Sequence, residues 1–320
     1  MATKKPPAKR PSGGRPSGGR PNRAPARRGR PAGLFTWLAV GLVVVVGLAF
    51  VIIKETSGSS TPPSSSSSWQ AASPTIVHQV THVPASVFNA VGVTSPVAPA
   101  SPPQAEKNLP VLDATNASGQ KVPVVLYMGG EFCPYCAAER WSIIVALSRF
   151  GTFSDLGNMS SYANDVYPNT PTFTFLKANY TSKYLVFEHV ELYANYLNKA
   201  KTYYATLQKP TKQEKHEIDT YDTEKYITGL TPSTATSIPF LSYANKFLSS
   251  GASYSPSTLA GSTRAQIAAG LSNPTSPITQ AIIASANYKT ATICTLTNQQ
   301  PSNVCSSSGV MTAAKAMGIK

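Results

Sequence analysis

Two cysteines with two residues between them are the side chains of this sequence best suited to chemistry. The motif Cys133-Pro134-Tyr135-Cys136 follows an apolar run at residues 122–128. A thiolate is the species that attacks a disulfide, and the N–H groups at a helix N-terminus lower the pKa of a thiol placed there. If Pro134 begins a helix, Cys133 lies at its exposed end and attacks, whereas Cys136 turns inward and resolves the mixed disulfide. The motif therefore predicts thiol–disulfide exchange.

Two other interpretations of the motif are a structural disulfide and half of a zinc site. A closed zinc site needs four ligands, usually supplied in part by a second close pair. The remaining cysteines, Cys294 and Cys305, have ten residues between them, and no histidine is near either pair in sequence. We therefore expect no metal here and no cofactor.

Cys294 and Cys305 flank a polar loop near the end of the chain. Outside the cytoplasm an even number of cysteines favours pairing, so we expect a structural disulfide that pins the C-terminus. A second redox centre is the alternative, but these cysteines lack the helix-start spacing that lowers a thiol pKa.

The dipeptide Ile238-Pro239 precedes an apolar segment at residues 240–243. A cis-proline there would lie beside the sulfurs of the motif and let a substrate peptide pair with the adjacent backbone. The alternative is an ordinary proline in an edge strand. We expect Pro239 to belong to the active site, and Phe132, Tyr135 and Ile238 to contact substrate.

Three charged residues lie beside the motif, namely Glu131, Glu139 and Arg140. Glu131 and Arg140 could tune the thiols electrostatically, but we expect solvated or salt-bridged surface positions for each. We expect His189 to be a surface or packing residue rather than a catalyst.

Apolar periodicity and turn signals predict an α/β fold in which a mixed sheet is flanked by helices. The predicted strands are 109–112, 122–128, 172–178, 240–243 and 253–254, with a turn at 116–119. One helix begins at the motif and ends at Gly151, and two later helices cover about 257–271 and 276–293. Residues 188–230, rich in Tyr, Lys and Glu, are predicted to form a helical insertion.

The net charge of +14 belongs mainly to the first 33 residues, which hold ten Lys or Arg and no Asp or Glu. The rest of the chain has 18 basic and 14 acidic residues, a net of +4. Residues 1–33 are also rich in Pro and Gly, so we expect a disordered cytoplasmic tail that touches anionic lipid. We expect no nucleic acid partner, because no aromatic residue interleaves these charges.

Residues 34–53 are apolar and uncharged. A helix of this length rises about 30 Å, the thickness of a bilayer's hydrocarbon core. We therefore expect a single-pass membrane anchor with the basic tail inside and the rest of the chain outside the cytoplasm. A cleaved signal peptide is the alternative, but its apolar core is usually shorter, and here Lys54-Glu55 follows where a small-residue cleavage site would be expected.

The remaining chain divides by composition. Residues 54–75 are a Ser/Pro-rich linker, and residues 76–105 hold valines at helical spacing, which we expect to dock on the main domain, and a second linker. Residues 106–320 form the predicted domain.

The order of these elements resembles the thioredoxin superfamily. More narrowly, YMGGEFCPYCAAERW at 127–141, SRFG at 148–151 and SIPF at 237–240 resemble an uncharacterised prokaryotic family. That family, a domain of unknown function, consists of membrane-anchored, thioredoxin-like proteins, and the likeness covers about residues 76–310. The resemblance implies that Cys133 is the nucleophile, Cys136 the resolving cysteine and Pro239 the cis-proline.

Three features depart from the superfamily's pattern. Residues 124–128 contain no buried carboxylate of the kind that many thioredoxins use to handle the proton of the resolving thiol. The dipeptide Pro-Tyr is that of glutaredoxins, although this domain is too long for a cytosolic glutathione-dependent enzyme. Residues 137–238 separate the motif from Pro239, which implies a helical insertion like that of Dsb-type oxidoreductases. The direction of electron flow is therefore open.

Motif and resemblance together predict a membrane-anchored oxidoreductase that forms, reduces or isomerises disulfides in exported proteins, with a redox partner in the membrane. An alternative from another class is a tethered binding or chaperone-like module whose cysteines are locked structurally. A third is the delivery of metal or thiol-linked electrons to a membrane partner.

Overall fold

The computed structural model of the protein describes residues 69–93 and 100–319. The predicted tail, the predicted membrane anchor and most of the two predicted linkers lie outside these residues. Within the described ranges, no helix is both long and apolar enough to cross a bilayer.

The described chain contains helices, a main sheet and short two-stranded ribbons. The helices are α1 (Pro74–Thr81), α2 (Ala85–Val91), α3 (Pro134–Leu147), α4 (Lys212–Tyr221), α5 (Arg264–Gly270), α6 (Pro277–Leu296), α7 (Ser302–Cys305) and α8 (Ser308–Met317). The strands of the main sheet are β1 (Gln104–Ala105), β2 (Asp113–Thr115), β3 (Lys121–Gly129), β8 (Val186–Glu191), β11 (Phe240–Tyr243) and β12 (Phe247–Ser250). Three two-stranded ribbons are built from β4 (Thr152–Ser154), β5 (Gly157–Ser160), β6 (Pro171–Thr174), β7 (Asn179–Thr181), β9 (Tyr193–Leu197) and β10 (Tyr204–Thr206).

The six-stranded sheet is mixed and centres on β3. On one side β11 pairs antiparallel with β3, followed by β12 and then β1 at the edge. On the other side β8 runs parallel to residues 124–129 of β3, and β2 runs antiparallel to residues 121–123. The central position suits β3, because its Val-Val-Leu-Tyr-Met run is buried on both faces.

Helices cover both faces of this sheet, which confirms the predicted α/β fold with a mixed, helix-flanked sheet. Val125 and Tyr127 of β3 face the larger core, to which α3 and α6 contribute. Val124, Leu126 and Met128 point the opposite way, into a smaller core that contains residues of α4. Because alternate strand residues face opposite sides, β3 joins the two cores.

The segment before the sheet folds into α1 and α2, with Pro84 as the N-cap residue of α2. Val80 and Phe88 are buried in the larger core. The side-chain amide of Asn287 in α6 donates to the carbonyl oxygens of Phe88 (3.0 Å) and Gly92 (2.7 Å). These two bonds hold the C-terminal end of α2 against α6.

The predicted helical insertion at 188–230 is wrong for most of its length. Residues 186–191 form β8, residues 193–206 form the β9–β10 hairpin, and only α4 is helical. The composition misled the prediction, because Glu188, His189 and Glu191 make β8 too polar to read as a buried strand. Strand formation here depends on pairing with β3, a tertiary contact that local propensity does not contain.

Four other boundaries also differ from the prediction. The strand expected at 172–178 is β6, which pairs only with β5, and the strand expected at 109–112 starts later, as β2. The last strand is β12 rather than 253–254, because the chain reverses at Ala244 and Asn245, both with positive φ. The helix expected at 257–271 is divided into a 3-10 turn and α5, because Thr263 and Gln266 form a capping box that starts α5 there.

Cys294 of α6 and Cys305 of α7 form a disulfide with their Cα atoms 5.6 Å apart. The predicted pairing of Cys294 with Cys305 is present, and the bond ties α7, and α8 directly after it, to the long helix α6.

Candidate functional site

Cys133 is the N-cap residue of α3. Its Sγ accepts a hydrogen bond from the Cys136 N–H (3.3 Å), one of the donors that a helix N-terminus leaves free. Pro134 occupies the first helical turn, where its missing N–H costs no hydrogen bond. Hydrogen bonds from the Cys136 thiol and backbone, and the charge of Arg140, hold the pKa of Cys133 below its ordinary value although burial opposes them.

Cys136 lies deeper and differs chemically from Cys133. Its side chain is fully buried, and burial raises its pKa well above the ordinary value. Cys133 is the more accessible thiol, but at 6% exposure it is less open than predicted. The reason is the loop before β11, whose Ile238 carbonyl oxygen lies 3.8 Å from the Cys133 sulfur.

The Ile238–Pro239 peptide bond in that loop is cis. Asp222, at the end of α4, holds the preceding residues: its backbone carbonyl accepts the Thr236 N–H and its carboxylate accepts the Ser237 N–H, both at 2.7 Å. Asp222 is fully buried, and burial raises its pKa to about 6. The two bonds thus fix the residues before the cis-proline to the end of α4.

Gly130 joins the strand, the motif and the loop. Its carbonyl oxygen accepts the Cys133 N–H (3.3 Å). A Cβ added at this position would lie 3.0 Å from the Phe132 ring and 3.2 Å from the Ile238 side chain. A larger residue at this position would therefore have to push the Phe132 ring or the Ile238 side chain aside by a few tenths of an ångström.

Aromatic side chains surround the motif. Phe132 stacks on Tyr204 of the β9–β10 hairpin with ring centres 3.7 Å apart, and Tyr135 meets Tyr167 edge-on at 5.9 Å. Tyr135 is 42% exposed and Tyr203 of the hairpin is 52% exposed. The predicted substrate-contact residues Phe132, Tyr135 and Ile238 therefore lie around Cys133, and the hairpin adds tyrosines that the sequence analysis assigned to a helix.

Arg140 is not at the surface, contrary to the prediction. Its side chain is fully buried and binds both carboxylate oxygens of the equally buried Glu191, at 2.9 and 2.6 Å. A further bond runs from Arg140 to the Gly130 carbonyl oxygen (2.8 Å), and the guanidinium lies 5.7 Å from the centre of the Tyr127 ring. The prediction failed because the partner, Glu191, lies in the wrongly assigned segment.

Glu131 is also buried rather than solvated, with 3% exposure. Its carboxylate accepts a hydrogen bond from the Thr174 hydroxyl (2.6 Å). Burial raises the pKa of Glu131 to about 7, although the Thr174 bond and Arg140 act in the opposite direction. A carboxyl group that titrates near neutral pH therefore lies two residues before Cys133.

Glu139 forms a second buried ion pair, with Lys289 of α6 (2.6 Å). Ser253 donates to Glu139 through its N–H (2.9 Å) and its hydroxyl (3.0 Å). The Lys289 ammonium also binds the hydroxyls of Ser253 (2.9 Å) and Ser285 (2.7 Å). This pair ties α3 to α6, and the surface position predicted for Glu139 is wrong.

His189 is half-buried, packs against Phe175 and Phe187, and hydrogen-bonds the Ala178 carbonyl oxygen (3.1 Å). Burial lowers its pKa, so it fits a packing role. In the described part of the chain, no cluster of three or more His, Cys, Asp or Glu side chains could hold a metal ion.

Sequence reasoning missed Glu191, Asp222 and the hairpin tyrosines. The density of tyrosines at 193–204 was the available signal, since aromatic residues favour strands over helices. No local signal marks Glu191 or Asp222, because their partners are 51 and 15 residues away.

Residues 109–295, more than half of the chain, match the family described as a domain of unknown function (DUF929). No curated protein and no solved structure matches the chain. The matched span contains the motif, the cis-proline loop and both buried ion pairs. The chain therefore belongs to the DUF929 family, a family whose description assigns it no function.

Proposed function

We propose that this protein is a thioredoxin-like thiol–disulfide oxidoreductase that acts on cysteine-containing exported proteins. The observation that carries the proposal is the position of Cys133: at the N-terminus of the buried helix α3, with its sulfur hydrogen-bonded to a helix N–H and close to the cis-proline loop. This combination supplies a stabilised thiolate, a second thiol three residues on and a backbone against which a peptide can lie.

The topology supports a thioredoxin-like fold. With the two-stranded ribbons, the 3-10 turn and α5 left out, the order along the chain from β3 to α6 is strand, motif helix, parallel strand, helix, antiparallel strand pair and helix. The cis-proline stands directly before β11, next to β3 and therefore next to the strand that leads into the motif. Element order and cis-proline position support the proposed resemblance, although the helical insertion that it implied is mostly strand.

The two cysteines divide the reaction. To reduce a substrate disulfide, the Cys133 thiolate attacks one substrate sulfur, a mixed disulfide forms, and the other substrate sulfur leaves as a thiolate. Cys136 then loses its proton and attacks the Cys133 sulfur, which releases the second substrate thiolate and leaves a Cys133–Cys136 disulfide. Oxidation of a substrate dithiol is the same sequence in reverse. Two electrons pass in either direction, and the cysteines themselves carry them.

Substrate binding follows from the surroundings of Cys133. A peptide lying beside Ile238 would bring a cysteine to the Cys133 sulfur, since the Ile238 carbonyl oxygen is 3.8 Å from it. The exposed rings of Tyr135 and Tyr203 offer apolar contact to such a peptide. This surface suits unfolded or partly folded polypeptides better than small thiols.

The membrane setting is part of the proposal and rests on the sequence. An apolar segment at 34–53 after a basic tail would anchor the domain on the outer side of the membrane, where exported proteins fold. There the site would need a membrane redox partner to reset its oxidation state, and the tail would contact anionic lipid.

Cysteine variants of the full-length protein test the proposal. In Cys136→Ser the attack survives and the resolution is lost, so mixed disulfides with exported proteins should accumulate on Cys133 and vanish on adding reductant. Cys133→Ser should give none, because the Cys136 thiol is buried and has a raised pKa. Equal trapping by both variants would contradict the assigned roles.

The small exposure of Cys133, 6%, favours the alternative of a tethered peptide-binding module. Alkylation of Cys133 followed against pH separates the two functions. A reactive thiolate with a midpoint below that of a free cysteine supports the oxidoreductase. The binding module is supported if the Cys133 thiol stays inert in the folded protein and Cys136→Ser accumulates no mixed disulfides.

A further inference from the structure

The buried ion pair of Arg140 and Glu191 lies next to the motif. Arg140 follows Cys136 by four residues, so the two side chains lie on one face of α3, a helical turn apart. The Arg140 guanidinium donates to the Gly130 carbonyl oxygen (2.8 Å), which also accepts the Cys133 N–H (3.3 Å). The cation thus shares an acceptor with the backbone of the residue that attacks.

Of the two charged groups in the pair, the cation is the one that contacts the backbone beside the motif. Besides Arg140, the Glu191 carboxylate accepts the Phe175 N–H (3.1 Å), a contact outside the motif. Besides Glu191, Arg140 binds only Gly130 among its hydrogen-bond partners in the described residues. The charge of Arg140 lowers the pKa of Cys133 and opposes the rise that burial imposes on Cys136.

The Arg140 guanidinium also keeps a hydrogen-bond donor without a partner among the described residues. Within the described chain, one terminal nitrogen of Arg140 and the hydroxyl of Tyr127 are buried without hydrogen-bond partners. Buried polar groups are rarely left in this state. A thiolate that forms nearby gains from a cation whose donors are not exhausted.

We propose that Arg140, held in place by Glu191, stabilises the dithiol form of the Cys133–Cys136 couple, so that the site works as a disulfide donor. The inference rests on the proposed function and assigns its direction. Thiolates exist only in the reduced form, so a cation that stabilises them makes the disulfide form more oxidising. Arg140 acts through the sulfurs and is a positioning residue rather than a catalytic one.

The oxidation step balances without any further reagent. A substrate thiolate attacks the Cys133 sulfur of the disulfide, and Cys136 leaves as a thiolate. The second substrate thiolate then attacks the first substrate sulfur, and Cys133 leaves as a thiolate. The substrate has lost two electrons and two protons and gained a disulfide, while the protein holds the dithiol. Turnover then requires a partner protein with a disulfide that accepts these two electrons.

The first measurement uses the full-length parent protein and reduced glutathione. We expect glutathione to reduce the Cys133–Cys136 disulfide almost completely, as judged by alkylation of the freed thiols. If dithiothreitol opens the disulfide but excess glutathione does not, the site is a reductant and this inference is overturned, while the proposed function stands. If Cys133 does not exchange with either thiol, the proposed function itself fails.

Paired variants then test Arg140 itself. Arg140→Gln/Glu191→Gln removes both charges and keeps polar groups in place, so the equilibrium constant for reduction by glutathione should fall at least tenfold, about 30 mV for a two-electron couple. The Cys133 thiolate should titrate at higher pH in the same variant. Arg140→Lys keeps the cation and should stay closer to the parent than the charge-free variant does.

The matched control is Glu139→Gln/Lys289→Gln, which removes the neighbouring ion pair of the same helix. It should lower stability but leave the glutathione equilibrium and the Cys133 titration unchanged. Equal shifts in both double variants would mean that any loss of a buried pair disturbs the site, which overturns the inference. An unchanged equilibrium in folded Arg140→Gln/Glu191→Gln would overturn it as well. If that variant does not fold, the glutathione reaction of the parent still tests the direction that the inference assigns, and a disulfide that excess glutathione leaves closed overturns it.

Discussion

Glu139 and Arg140 are neighbours in α3, yet the buried ion pairs that they form differ in completeness. Around Glu139 and Lys289, both carboxylate oxygens are bonded and the ammonium has three partners. Around Arg140 and Glu191, one guanidinium nitrogen lacks a partner in the described chain. The complete network holds α3 and α6 together. The incomplete network lies beside two thiols, and its cation has a donor left with which to stabilise a thiolate.

The largest loss of stability should come from removing Lys289, one partner of the fully hydrogen-bonded ion pair. Lys289→Met leaves the Glu139 carboxylate buried without its cation, so unfolding free energy should fall by about 3–5 kcal/mol. Denaturant unfolding of the full-length protein in detergent measures the change. The exposed Lys225→Met serves as the control and should cost little. A loss below about 1 kcal/mol would contradict the structural role assigned to this pair.

The surroundings of Arg140 can be tested through the pH dependence of stability, to which the nearby Glu131 contributes. Its pKa rises from 4.5 to about 7 on folding, so the folded state keeps the proton longer than the unfolded state. The contribution of Glu131 to the free energy of unfolding is fully present below about pH 4.5. It is lost as the pH rises through 7, and the loss amounts to up to about 3 kcal/mol.

Glu131→Gln removes this titration. The fall in unfolding free energy between pH 5 and pH 8 should therefore be smaller in the variant than in the parent, whereas Glu224→Gln at the surface should follow the parent. Identical pH profiles for Glu131→Gln and the parent would mean that Glu131 is ionised in the fold at neutral pH.

A smaller loss of stability is expected from removing the disulfide of α6, the helix that also carries Lys289. Cys294→Ser/Cys305→Ser opens an 11-residue separation, and loop-closure entropy gives a loss of about 2–3 kcal/mol. The rate of Cys133 alkylation should not change, because the bond ties α7 to α6 and not to the motif. A variant that unfolds like the parent would show that the bond adds nothing to the fold.

The sequence predicted the elements that have local signals, but not the buried ion pairs. The elements with strong local signals were predicted correctly: the apolar run of β3, the proline that opens α3 and the segment of β11. The structure also brings the cysteine motif and the Ile238-Pro239 loop together, as the two short motifs predicted. Both kinds of signal are contained in a few consecutive residues.

The electrostatic surroundings of the motif were not predictable from such signals. Arg140 and Glu139 look like surface charges in any local reading of α3. Their burial is decided by Glu191 and Lys289, which lie 51 and 150 residues further along the chain. The error at β8 removed the strand that carries Glu191, so one wrong element hid the partner that explains Arg140.

The docking of α1 and α2 has a practical consequence for where the protein can be cut. The family match begins at residue 109, but the Ala72 N–H is already bonded to the Leu156 carbonyl oxygen (2.8 Å), and α2 lies against α6 and α8. A fragment that starts at the family boundary would uncover the apolar surface that Val80 and Phe88 fill. Recombinant versions of the domain should therefore start upstream of Trp69.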